Sequence, residues 1–193
     1  MGYILENIEV KILSEELIND YLNYFENKAF SNNNEWGSGC YCIHYHILNE
    51  NDIKINRKNT VIELIKNKTL CGYLAYKNGN VIGWCNAGEK TSFKRLNDRQ
   101  ELLDLNNKNQ KIISIVCYLI IPEMRGKGVS KILLENICLD VKNKGYSYIE
   151  VYPSKKEGNC FEIYHGTKKM YEKYGFTVYK ELENEYIMRK ELN

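Results

Sequence analysis

Proline is nearly absent: Pro122 and Pro153 are the only two in 193 residues. Each follows a strand-like run and reads as its terminator, because proline has no amide to give a ladder. No Pro- or Gly-rich linker, internal repeat or low-complexity tract divides the chain, so residues 1–193 are expected to form one domain with a well-buried core. Neither charge sign dominates. The formal net charge is +2, with both signs spread along the chain, which argues against a dedicated nucleic-acid surface. No apolar run approaches the length of a bilayer span, and residues 1–10 lack the basic-then-apolar order of a signal peptide. The seven cysteines are Cys40, Cys42, Cys71, Cys85, Cys117, Cys138 and Cys160, an odd number lying mostly inside apolar runs. They lack the look of a disulfide framework and read as small buried hydrophobes in a reducing cytoplasm, the expected location.

What is present is a mixed pattern of strands and helices. Strand-like runs are expected at 7–13, 40–48, 70–77, 81–87, 111–121, 146–152, 176–182 and 186–189. Asn78, Gly79 and Asn80 suit the tight reversal between the third and fourth of these. Helices are expected at 15–30, 60–65, 128–144 and 161–174, the last ending at Gly175. In the 128–144 helix, Val129, Ile132, Leu133, Ile137 and Val141 form the apolar face. Residues 111–152 read as strand–helix–strand, a right-handed crossover between parallel strands.

The sharpest local signal follows the 111–121 run: Arg125, Gly126, Lys127, Gly128, Val129 and Ser130. Two glycines allow a tight turn and a close approach by a ligand. The helix that follows presents unpaired amides and the positive end of its dipole, an anion site suited to a phosphate or pyrophosphate. Arg125, Lys127 and Lys131 add charge. A plain connecting turn and a dinucleotide site are the alternatives. The second lacks a third glycine after Gly128, although Glu150 stands near the place of its ribose-binding acid.

The phrase Pro122-Glu123-Met124-Arg125-Gly126-Lys127-Gly128-Val129-Ser130 resembles the pyrophosphate loop of the GNAT superfamily, acetyl-CoA-dependent N-acetyltransferases. The family pattern is Gln/Arg-x-x-Gly-x-Gly/Ala; only Ser130 departs from it, and serine is small. The resemblance implies an α/β (α+β mixed) fold of the GNAT acyl-CoA N-acyltransferase type, with a central, mostly antiparallel sheet flanked by helices. It implies acetyl-CoA as cosubstrate, no metal, and backbone amides at Arg125, Gly126, Lys127, Gly128, Val129 and Ser130 holding pyrophosphate. It also implies that the strand end at Leu119 and Ile120 splays from its neighbour for the pantetheine arm, with the Ile120 amide facing the thioester carbonyl. Met170-Tyr171-Glu172-Lys173-Tyr174-Gly175-Phe176 is similar to the end of the family's fourth helix and makes Tyr171 the matching general acid. The family's pantetheine-binding asparagine falls on Tyr164, and the strand glutamate that some relatives use as base falls on Ser114.

The implied reaction is direct acetyl transfer to a primary amine, and it requires that the amine lose a proton. Two segments are candidates for the acceptor side, and they supply Trp36, Cys40, Cys42, His44, Trp84 and Asn86. His44 and His46 are candidate bases because imidazole titrates near neutrality. Cys40, Cys42, His44 and His46 are metal-ligand types. On a strand, however, alternate side chains stand about 6.6 Å apart, too far to converge on one ion, so a pocket or core role is expected instead. The expected partner is a small-molecule amine, not a nucleic acid or a membrane, with a homodimer left open. A non-catalytic acyl-CoA-binding or sensing module with the same fold is the alternative.

Overall fold

The computed structural model describes residues 7–31, 40–48, 56–102, 110–156 and 164–192. The chain begins with β1 (Ile8–Ile12), α1 (Ile18–Asn27) and α2 (Arg57–Lys66). The hairpin β2 (Gly72–Lys77) and β3 (Asn80–Glu89) follows, then the short α3 (Lys94–Asn97) and the central strand β4 (Ile112–Ile120). The chain then forms α4 (Val129–Asn143), β5 (Tyr148–Val151), α5 (Lys168–Glu172), β6 (Thr177–Glu181) and β7 (Tyr186–Glu191). The strands make one seven-stranded sheet in the order β1-β2-β3-β4-β5-β7-β6. Only β4 and β5 run parallel, as a crossover through α4 requires. The fold is the mixed α/β arrangement with a mostly antiparallel sheet that the sequence implies.

The sheet separates two cores. One face buries Tyr73, Ala75, Cys85, Ile113, Ile115 and Tyr118 under α4 and α5. The other buries Leu74, Tyr76 and Trp84 under α1, α2 and the 40–46 segment. Alternation along β3 explains the division: Trp84 and Asn86 face one way and Cys85 the other.

Between Asn86 and Ala87 of β3 the pairing with β4 shifts by one residue, leaving Val116 as an extra residue in β4. Such a bulge bends a strand and interrupts its alternation. Val116 consequently packs with Phe93, Leu96 and Tyr152, and Cys117 borders both that cluster and the one under α1, while Ile115 and Tyr118 pack toward α4. The parallel ladder with β5 ends immediately before the bulge, at Ile115 and Val151. Beyond it β4 keeps β3 and leaves β5, so the unpaired stretch begins at Val116 and includes Leu119 and Ile120.

Several local expectations need correction. Residues 40–48 are not a strand: Tyr41 (φ +42°) and Cys42 (φ +50°) both take left-handed backbone, and His44–His46 form a 3-10 turn. The helix expected at 161–174 is limited to Lys168–Glu172 among the described residues, with Thr167 as its N-cap; residues 157–163 lie outside them. Leu134, not Ile132, completes the buried face of α4.

Candidate active site

The turn into α4 is built by backbone conformation. Gly126 (φ +70°) and Gly128 (φ +83°) both occupy the left-handed region, which L side chains enter at a cost, and Gly128 is the N-cap of α4. A glycine cap offers no side-chain acceptor, so the amides of Val129, Ser130 and Lys131 are directed out of the helix end without an intrahelical partner. Val129 is buried on the sheet, whereas Gly126 and Lys127 are exposed and Ser130 is half-buried. Arg125 turns back, its Nε donating to the Ile120 carbonyl at 3.0 Å. The six expected pyrophosphate residues thus form one continuous turn at the end of β4.

Alternation of peptide groups then distinguishes Leu119 from Ile120. The Ile121 amide donates to the Ile82 carbonyl on β3, so the peptide groups of Ile120 point away from β3, toward the edge that β5 has left. Tyr118 shares this orientation, and its amide donates to the Tyr164 carbonyl at 2.6 Å. Leu119 faces β3, and its carbonyl also accepts the Tyr24 hydroxyl.

Tyr171 lies on α5, fully buried against Phe176 with ring centroids 5.1 Å apart. Its hydroxyl donates to the His165 carbonyl at 2.6 Å. Burial pushes its pKa well above the ordinary value, so the phenol keeps its proton. Gly166 (φ +79°) permits this packing: a Cβ there would meet the Tyr171 hydroxyl at 2.9 Å and the Met170 Cε at 2.8 Å. The His165 ring turns toward the other side of the sheet, its Nε2 3.1 Å from the Tyr45 hydroxyl. Burial lowers its pKa to about 4, only partly offset by the Val116 carbonyl.

Of the acceptor-side candidates, the structure brings together Cys42, Trp84 and Asn86. The Asn86 Nδ2 donates to the Cys42 carbonyl at 2.9 Å and to the Cys42 Sγ at 3.4 Å, and lies 3.4 Å from the His46 Nε2. Trp84 is fully buried, with Tyr21 edge-on at 4.9 Å and Phe25 at 6.4 Å, so it forms the floor of this side. Three fully buried residues here carry a polar atom with no hydrogen-bond partner among the described residues: Trp84 Nε1, Asn86 Oδ1 and His46 Nδ1. Burial lowers the His46 pKa to about 4, holding the ring neutral. His44 stands apart: it is exposed, and its carbonyl accepts the Arg95 Nε at 2.8 Å. Cys40 is exposed beside the cluster, and Trp36 lies outside the described residues. From sequence both histidines are candidate bases and only His44 is placed on the acceptor side; the turn at Tyr41 and Cys42 instead sends His46 inward and leaves His44 exposed. Cys117, expected only as a small buried hydrophobe, packs against the same cluster.

The Ser114 hydroxyl is 2.8 Å from the Tyr152 hydroxyl, which donates to the Glu150 Oε1 at 2.7 Å. Glu150 is fully buried between the Arg189 Nε (2.7 Å) and the Lys90 Nζ (2.8 Å). This carboxylate is consumed by two cations inside the sheet, which removes the acid that a dinucleotide reading of the glycine turn needs. Among the described residues, no group of three or more His, Cys, Asp or Glu could hold a metal ion, and no helix is long and apolar enough to cross a membrane.

Comparison with known proteins agrees with this architecture. No curated protein matches the chain in sequence. An N-acetyltransferase from Staphylococcus aureus Mu50 has 17% identity and a TM-score of 0.56, covering 97% of this chain and 100% of its own. The PaiA N-acetyltransferase from Thermoplasma acidophilum, solved in complex with coenzyme A, has 17% identity and a TM-score of 0.55, covering 96% and 99%. The ribosomal-protein-S18-alanine N-acetyltransferase from Escherichia coli has 11% identity and a TM-score of 0.53, covering 97% and 95%. At such identities the likeness establishes the fold. The family rests on the sequence itself, because the model of the acetyltransferase (GNAT) family matches residues 16–176. A chain with this sheet, this glycine turn and that match over most of its length belongs to the GNAT acetyltransferase family.

Proposed function

We propose that this protein transfers the acetyl group of acetyl-CoA directly to a primary amine on a small-molecule acceptor, acting in the cytoplasm as a single-domain enzyme. The observation that carries the reading is the glycine turn and α4 N-terminus beside the open edge of β4. Left-handed glycines followed by unpaired helix amides suit a pyrophosphate, and Arg125, Lys127 and Lys131 supply cations around it. The turn therefore fits coenzyme A, which brings the activated acetyl group. In this reading the Ile120 amide polarises the thioester carbonyl from the open edge. Tyr171 holds the proton that the departing thiolate needs, and burial keeps it in the acid form. Its hydrogen bond to the His165 carbonyl must break for that proton to move. The acceptor approaches from the α1 side, over Cys42, Trp84, Asn86 and His46. With Ser114 bound to Tyr152, the amine loses its proton through water or arrives neutral.

Two observations favour an acyl-CoA sensor instead. The Tyr171 hydroxyl is engaged by His165, and the Tyr164 carbonyl already takes the Tyr118 amide on the open edge. A panel of amines with acetyl-CoA, followed by free-thiol release, separates the two. An enzyme releases thiol with at least one amine class; binding of coenzyme A without release for any amine supports the sensor. In the enzyme, Tyr171→Phe lowers kcat about a hundredfold with little change in coenzyme A affinity. Unchanged turnover would remove Tyr171 from the mechanism.

A further inference from the structure

Among the described cysteines, Cys42 is distinguished by how it is held. It follows Tyr41 in left-handed backbone, an arrangement rare for two successive non-glycine residues and of the kind that collects at functional positions. The Asn86 amide, itself fully buried, donates to both its carbonyl and its sulfur. The buried Trp84 Nε1 has no hydrogen-bond partner among the described residues and lies against the same sulfur. Cys117 pairs across the ladder with Asn86 and packs against the cluster that contains Cys42, bringing a second thiol to the first. These neighbours are donors, and donors stabilise a thiolate. The Cys42 pKa is lowered, chiefly by the Cys117 thiol and then by Asn86 and Trp84, even against burial. Burial shifts the thiols of Cys40, Cys71, Cys85 and Cys138 up, and the Cys117 thiol is shifted up first by its pairing with Cys42 and then by burial. All six are free.

We propose that Cys42 is the peroxide-sensitive thiol of this protein and that it closes a reversible disulfide with Cys117. The oxidant is a hydroperoxide, small enough to reach a residue that is 7% exposed in a turn beside exposed Cys40. The Cys42 thiolate attacks one peroxide oxygen and the O–O bond breaks. Sulfur becomes a sulfenic acid, and hydroxide (or alkoxide) leaves with the electron pair. The Cys117 sulfur then attacks the Cys42 sulfur. The S–O bond breaks, the Cys117 proton leaves with that oxygen as water, and an S–S bond forms. Two thiols have lost two electrons to one peroxide, and a dithiol reductant restores them. The bond ties the 40–46 turn to β4 just beyond the bulge, where the strand has left β5.

The test treats the whole protein with one equivalent of hydrogen peroxide near pH 7, followed by non-reducing peptide mapping. The expected product is a Cys42–Cys117 linked peptide, two hydrogens lighter than its parts and lost on dithiothreitol treatment. In Cys117→Ser the sulfenic acid on Cys42 persists and is captured by dimedone, about tenfold faster than any other cysteine is labelled. Should Cys117→Ser fold poorly, the map of the unmodified sequence decides alone. Oxidation that reaches any other cysteine first, or a disulfide joining any other pair, overturns the proposal.

Discussion

The two ends of the candidate site are built from different materials. The glycine turn at the end of β4 is backbone: six consecutive residues, two of them left-handed glycines, and helix amides whose positions depend on no side chain. The proposed acceptor side is side chains: Cys42 from a strained turn, Trp84 and Asn86 from β3, Cys117 from β4 and His46 from a 3-10 turn, nearly all buried. A site of backbone is disturbed by adding atoms to it, and a site of packed side chains by removing them. Binding and stability should therefore respond oppositely to substitution at the two ends.

The largest effect is expected at Trp84. Trp84→Ala empties the centre of the aromatic cluster with Tyr21 and Phe25 and should lower unfolding stability by about 3–5 kcal/mol in urea titrations. Coenzyme A affinity of the folded fraction should stay within about twofold, because the glycine turn touches none of these rings. A parallel loss of affinity breaks the contrast. Acid comes next. His46 and His165 are held neutral, with pKa values of about 4 against 6.5 in the unfolded chain. Between those values the unfolded chain binds more protons, so stability is full above pH 6.5 and falls as pH drops toward 4. Each ring contributes about 1.4 kcal/mol per pH unit at most. Urea midpoints across that window measure the slope, and His46→Gln should remove its share. The smallest effect on stability is expected at Gly126. An alanine Cβ there meets nothing within 4 Å among the described residues, so the penalty is that of left-handed backbone alone, about 1–2 kcal/mol. Calorimetric titration should show that penalty as a rise of up to about thirtyfold in the Kd for coenzyme A.

The same contrast governs what could be read before the fold was known. The turn from Arg125 to Ser130 is contiguous, so glycine conformation and the helix end made an anion site legible locally, and the family resemblance added coenzyme A as its expected occupant. The crossover through α4 was legible for a similar reason, since a 3.6-residue period between two β-branched runs leaves one sensible packing. The acceptor side joins residues far apart in the chain, and no local rule pairs Cys42 with Asn86. The 40–48 segment also misleads, because its alternating cysteines and histidines have the period of a strand. Only the left-handed pair at Tyr41 and Cys42 breaks that period, and neither residue type announces it. The bulge at Val116 was equally silent, since a strand with one extra β-branched residue reads like any other. Position was legible for Tyr171, but its bond to the His165 carbonyl was not, because that bond depends on Gly166 admitting the phenol.

Beyond the bulge, β4 also keeps two clocks. The amides of Leu119 and Ile121 point into the ladder with β3, while that of Ile120, between them, points to the edge that β5 has left. In heavy water the first two exchange on the slow schedule of the sheet and the third on the faster schedule of an edge. A ligand lying along that edge would slow only the alternate amides, writing its presence into one strand as a pattern of every second residue.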